Sequence, residues 1–256
     1  MKTIENLNVQ HLPDTEPTVG ELAAADIRKA EVFKKYGLDF CCGGKKSLRQ
    51  ACEEKNINLS QIEKELQEVS QQRMPSKGFD FNRWEIDFLA DYIYNEHHKY
   101  YYEEAPVIAG LMEKVVNHHC AAHPYLKNIA VWYSALREEL DLHFTMEEKI
   151  FFPYIKQLAQ AKRTNTPVTE GYVQDISEPL QMMEEDHEAA GQILCEINGL
   201  TNQYTPPEDA CNSFTLLYHK LKTLEDDLHQ HIHLENNILF PKAILLEKEL
   251  KKLNLV

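Results

Sequence analysis

His143-Phe-Thr-Met-Glu147-Glu-Lys-Ile-Phe-Phe-Pro153 is one of two copies of a single chemical phrase. The other is His231-Ile-His-Leu-Glu235-Asn-Asn-Ile-Leu-Phe-Pro241, 88 residues downstream (143 to 231, 147 to 235). In each copy His precedes Glu by four residues, which on a helix sets both side chains on one face. Imidazole and carboxylate presented twice from helices is how a bundle builds a two-metal site in its core. The internal repeat weighs against chance, to which a single His-x-x-x-Glu is open.

Working outward, apolar residues step by three or four on either side of each phrase. Ile129, Trp132, Leu136, Leu140, His143, Glu147 and Ile150 predict a helix near 126–158. Phe214, Leu217, Leu221, Leu224, Leu228, His231, Glu235 and Ile238 predict another over about 208–250. Ile176, Leu180, Met183, His187, Ala190, Leu194 and Ile197 mark a third near 173–200. All are core-facing stripes in which His, and twice Glu, stands where an apolar residue belongs. The first helix, from about Asn82, holds adjacent histidines. Its upstream stripe (Ile86, Leu89, Ile93) points to His97, and its downstream stripe (Tyr101, Ala105, Ile108, Met112, Val115) points to His98. The repeat spacing leans mildly to His98. Pro106, Pro153 and Pro241 kink these helices or end a segment. Two similar hairpins, 82–158 and 173–250, then pack as a pseudo-twofold bundle.

A buried, unpaired carboxylate costs several kcal/mol, so core glutamates need partners. The bland reading of one such pair is a hydrogen-bonded couple or one facing a groove. Four helices that each place His mid-stripe, two with Glu as well, favour a metal centre. The ligand set is His98, His143, Glu147, His187, His231 and Glu235. With both glutamates bridging, each metal gains two His and two carboxylate oxygens, and an oxo or hydroxo bridge leaves one position open for a small ligand. Iron suits this nitrogen/oxygen shell, with manganese the alternative; zinc prefers closed structural or open mononuclear sites. His118, His119 and His123 crowd a connection, where solvated His is common. His11, His219, His229 and His233 are read as surface or ordinary polar residues.

Bulk properties bound the function. A formal charge of −14 argues against nucleic acid or an anionic membrane as partner. No apolar run is long enough to span a bilayer, and Met1 to Asn8 lacks an apolar signal core, so a cytoplasmic location is expected. Six scattered cysteines without Cys-x-x-Cys fit reduced thiols. Residues 1–74 read as a small helical domain with capping boxes at Thr18-Glu21, Ser47-Gln50 and Ser60-Glu63, and with Gly37 suited to a left-handed cap. Residues 75–81 read as a linker and 82–250 as the bundle. The small domain carries the turn Leu38-Asp39-Phe40-Cys41-Cys42-Gly43-Gly44. Adjacent cysteines do not easily chelate one tetrahedral metal, and a disulfide between neighbours strains the peptide. Lys45 and Lys46 would lower a thiol pKa, which points to redox exchange or capture of iron or a nitrosyl species. The alternative is a buried turn with inert thiols. Asp39 either shapes the turn or opposes thiolate formation.

Over about 82–250 these residues resemble the hemerythrin-like di-iron bundle family. The Tyr36-Gly37-Leu38-Asp39-Phe40-Cys41-Cys42-Gly43-Gly44 stretch resembles the N-terminal domain of the RIC (repair of iron centres) proteins, and the two parts occur there in this order. The resemblance implies an all-α fold, an up-down four-helix bundle preceded by a small helical domain, with two oxo- or hydroxo-bridged iron ions per chain. It selects His98 over His97 and implies bridging roles for Glu147 and Glu235. It aligns His119 with a further histidine near the centre, a possible labile ligand. It implies repair of iron–sulfur proteins damaged by nitric oxide or peroxide, with nitric oxide or oxygen as small ligands, and a homodimer through the N-terminal domain. Cys41 and Cys42 would be redox or transfer thiols, facing a bundle of either subunit. Two Glu bridges lean away from a simple oxygen carrier. Consumption of nitric oxide at the metal pair and reversible oxygen binding are the alternatives.

Overall fold

The structure is a computed structural model and describes residues 16–71, 79–168 and 175–256. The N-terminal segment with His11, and most of the expected linker, lie outside the described residues. Among the described residues the chain is helical, with no strand and one isolated antiparallel bridge between Thr18 and Ser47.

Four rods form an up-down bundle. The first comprises α5 (Ile86–Ile93), a π turn (Tyr94–His98) and α6 (Lys99–His119). The second comprises α7 (Leu126–Met146), a π turn (Glu147–Phe151) and α8 (Phe152–Thr164). The third is α9 (Ser177–Leu200). The fourth comprises α10 (Asn212–Leu234), a π turn (Glu235–Leu239) and α11 (Phe240–Lys252). It begins four residues later than expected, because Pro206 and Pro207 hold the preceding chain off the helix and Cys211 caps it. Pro153 and Pro241 do not break their rods. Each follows a π turn that adds one residue exactly where the missing N–H and bulky ring need room, and the turns close through Phe152 N–H to Glu147 O and Phe240 N–H to Glu235 O.

The bundle has two apolar layers. One gathers Leu89, Ile93, Phe151, Ile155, Leu180, Leu239 and Phe240; the other gathers Ile108, Ile129, Leu136, Leu194, Phe214 and Leu221. A polar layer of buried His and Glu lies between them.

Ahead of the bundle come α1 (Val19–Ala25), α2 (Lys29–Lys35), α3 (Leu48–Glu54) and α4 (Leu59–Gln71). Thr18 with Glu21, and Ser47 with Gln50, make reciprocal capping boxes. The expected box at Ser60 is not the start of α4. Asn58 takes that place, its side-chain oxygen accepting from Gln61 N–H at 3.3 Å. Gly37 adopts φ +63° after α2. Val19, Phe33, Leu38, Phe40 and Ile62 form a core that also takes in Ile232 of α10, so the small unit is packed directly onto the fourth rod.

Candidate metal centre

The three π turns position candidate ligands. His98 closes the first, while Glu147 and Glu235 open the other two. A π turn widens the helix locally and re-aims one side chain without ending the rod. His98, Glu147 and Glu235 are completely buried, and His143, His187 and His231 nearly so.

Two sets of four ligand atoms result, each set lying within 4.8 Å of one another. One is His98, His231, Glu147 and Glu235; the other is His143, His187, Glu147 and Glu235. His98 Nε2 is 3.2 Å from Glu147 Oε2, and His143 Nε2 is 3.1 Å from Glu147 Oε1. His187 Nε2 and His231 Nε2 are each 3.2 Å from Glu235 Oε2. His143 and His187 bring their Nε2 atoms to 2.9 Å.

The donors fit a cation better than they fit one another. Both oxygens of Glu147 and Glu235, and Nε2 of His98 and His231, have no hydrogen-bond partner of good geometry among the described residues. Unpartnered buried carboxylates are costly, and such a cluster suits a metal site. Burial works against charge on His143, yet Glu147 and Asp186 outweigh it and lift its pKa to about 10. Burial also opposes charge on His98, which Glu147 overcomes, whereas burial prevails at His231 and holds it well below the usual imidazole range. Burial pushes both glutamates up, but neighbouring histidines keep them below the ordinary carboxylate value.

Three of the four imidazoles offer Nδ1 to a polar side chain. His98 Nδ1 meets Glu148 Oε1 at 2.9 Å, His143 Nδ1 meets Asp186 Oδ2 at 3.1 Å, and His187 Nδ1 meets Asn236 Oδ1 at 2.9 Å. These contacts fix the ring orientation and leave Nε2 for the metal. His231 Nδ1 has no such partner among the described residues. Its ring instead stacks with His97 at 5.7 Å, and His97 Nδ1 pairs with Asp227 at 2.9 Å. Sequence reasoning missed Glu148, Asp186 and Asn236. Each adjoins a ligand in the chain, and that adjacency was the available signal.

His119 is not brought to this layer. It ends α6, 21 residues beyond His98 (98 to 119), or about 30 Å along the helix, and its Nε2 lies 3.2 Å from Cys211 Sγ. A labile-ligand role at this centre does not fit that position. Of the histidines read as surface or ordinary polar residues, His233 is buried and His229 half-buried: both pack by Phe40, and burial lowers the His233 pKa to about 4.

The paired cysteines lie against the centre of their own chain. Asp39 Oδ1 accepts N–H bonds from Cys41 and Cys42, both at 3.0 Å, so Asp39 shapes the turn. Cys42 Sγ donates to the His187 carbonyl at 3.2 Å, and Asn236 Nδ2 donates to the Cys41 carbonyl at 3.3 Å. The expected thiol activation fails at Cys41. Its neighbour Cys42 and burial push that thiol well above its ordinary value, while Lys45 and Lys46 are engaged by Glu184 and Glu54.

Residues 89–243 match the hemerythrin HHE cation binding domain, and residues 15–70 match a domain of unknown function, DUF542. The chain belongs to the hemerythrin-like RIC family. A Haemophilus influenzae relative named "Probable iron-sulfur cluster repair protein" is 36% identical over 88% of this chain and 96% of its own length. The iron–sulfur cluster repair protein YtfE of Escherichia coli is 34% identical over the same shares. The HHE match spans all six proposed ligands, and the DUF542 match spans the Cys41-Cys42 turn. Buried His and Glu clusters in an HHE bundle suit a metal site. No helix among the described residues is long and apolar enough to cross a membrane.

Proposed function

We propose that this chain repairs damaged iron–sulfur clusters in the cytoplasm, holding two iron ions on His98, His143, Glu147, His187, His231 and Glu235. Glu147 and Glu235, which belong to both donor sets, would each serve both ions. The observation that carries the reading is two fully buried carboxylates, with unpartnered oxygens, shared by two sets of imidazoles. The names of the relatives supply the repair role. When bound, the irons provide redox chemistry and open positions for small ligands. The chain's own work is to bury and orient the donors. Glu148, Asp186 and Asn236 hold the imidazoles, and the apolar layers exclude water above and below. A narrow cleft of about 10 Å³, lined by Glu139, His143, Asp186, His187 and His231, touches imidazoles of both ligand sets. Its acidic rim suits a released iron ion, which here is cargo.

The test is reactivation of an aconitase-type enzyme whose cluster nitric oxide has damaged. Purified iron-loaded protein should restore activity faster than the same amount of free ferrous iron; equal recovery refutes the reading. The same cleft favours a second reading, consumption of nitric oxide at the metal pair. Sustained catalytic formation of nitrous oxide would establish it, and a single turnover would oppose it.

A further inference from the structure

We propose that Asp39, Cys41 and Cys42 form a second metal site, distinct from the six-ligand centre, for a thiophilic divalent ion. Neighbouring cysteines do not easily chelate one metal, but this turn brings their sulfurs to a chelating distance. Cys41 Sγ and Cys42 Sγ stand 3.7 Å apart. A tetrahedral ion with metal–sulfur bonds of about 2.3 Å sets its two sulfurs about 3.8 Å apart. The third donor is held in place: Asp39 Oδ1 is fixed by the two cysteine amides and lies 3.2 Å from Cys41 Sγ. The three donor atoms lie within 4.8 Å of one another, with Asp39 exposed and Cys42 half-buried.

The surroundings keep this space clear. A Cβ on Gly43 would stand 3.1 Å from Asp39 Oδ2, and one on Gly191 would stand 3.2 Å from Cys42 Sγ. An acidic cavity of about 550 Å³, lined by Glu184, Glu185, Glu188 and Asn236, adjoins the turn at Lys45. Its carboxylates raise the local concentration of cations. The site touches the six-ligand centre twice, through Cys42 Sγ on the His187 carbonyl and Asn236 between the Cys41 carbonyl and His187 Nδ1. Binding exchanges two thiol protons for one divalent ion. That the ion is ferrous iron moving to or from the centre rests on the repair reading; the site itself does not.

A thiol–thiol hydrogen bond also gives the 3.7 Å separation, and cobalt(II) distinguishes the two. Iron-loaded, reduced full-length protein is titrated anaerobically with cobalt chloride. The expected result is one equivalent bound per chain, with a thiolate-to-cobalt charge-transfer band, tetrahedral ligand-field bands and release of two protons. Cys42→Ser abolishes the band with helical circular dichroism retained, and Asp39→Asn weakens binding roughly tenfold through loss of one charged ligand. No thiolate band with excess cobalt overturns the proposal. So does a band that survives Cys42→Ser, which would place the ion on exposed Cys195 or Cys211. The cobalt site is read independently of repair: a site found in protein that fails to reactivate damaged clusters upholds the assignment and refutes the repair reading alone.

Discussion

Replacing Asn236 with Ala should loosen one iron of the pair and spare the other. Asn236 Oδ1 accepts from His187 Nδ1 at 2.9 Å, and His187 belongs only to the His143/His187 set. Losing an outer partner of a metal-bound imidazole lowers affinity about 10- to 100-fold, or ~1.4–2.7 kcal/mol. Asn236 is half-buried, so water only partly replaces it, and the upper half of that range is expected. The assay is iron release to a colorimetric ferrous chelator. Wild type should release its two equivalents in two phases, the His143/His187 iron first, whereas Asn236→Ala should speed the first phase about 10- to 100-fold and leave the second near the wild-type rate. Asn236→Asp separates two roles of this residue. It keeps an acceptor for His187 but loses the donor to the Cys41 carbonyl, 3.3 Å away. It should therefore retain both irons while loosening the small helical unit, read as faster hydrogen exchange in α1–α4. Simultaneous loss of both irons in Asn236→Ala, or unchanged release, would refute the assignment of ligands to two separable sets.

Glu147→Ala or Glu235→Ala should each abolish binding of both irons, because each carboxylate belongs to both sets; metal analysis showing one iron retained would contradict bridging. Gly20→Ala would put a Cβ 2.1 Å from Asn237 Oδ1, forcing that side chain off the Phe40 carbonyl. Overpacking of about 1–3 kcal/mol, less about 1 kcal/mol of helix preference, should destabilise docking by up to about 2 kcal/mol in denaturant titration with the iron content unchanged. Glu225→Gln should stabilise the protein at neutral pH. Burial raises the Glu225 pKa against the Asn198 hydrogen bond, so the fold favours the protonated acid, and stability is lost as pH rises through the folded value. Thermal melts should show the gain at pH 7 and its disappearance below about pH 4, where the unfolded acid is also protonated; a variant less stable at pH 7 would reverse the sign.

The ambiguity between His97 and His98 turns out to be a record of the fold. The stripe through Ile86, Leu89 and Ile93 points to His97, the stripe from Tyr101 onward points to His98, and both are buried. The π turn at Tyr94–His98 adds the residue by which the two stripes differ. The same slip moves the buried position after Glu147 from the expected Ile150 to Phe151. Helical periodicity was therefore readable within each segment, while the phase changes between segments looked like noise. The ligands were legible because polar residues interrupt apolar stripes. The docking of the Cys turn was not, because Cys42 meets His187 across 145 residues and no local pattern encodes that contact.

The repeated phrase predicts a symmetric centre, and its inner ligands are symmetric: two imidazoles and two shared carboxylates per set. Around them the symmetry ends. Glu148 supports His98, a half-exposed Asp186 supports His143, Asn236 supports His187, and His231 leans on the ring of His97. The Cys41-Cys42 turn reaches His187 through Cys42 and Asn236, which supports no imidazole of the other set. If the irons are cargo, the two positions are unequal: the ion held by His143 and His187 leaves first, and the ion held by His98 and His231 keeps the carboxylates charged and oriented for its replacement. Repair then draws on one position of the pair, and partially loaded protein, with one iron per chain, should retain the bundle but not the donor activity.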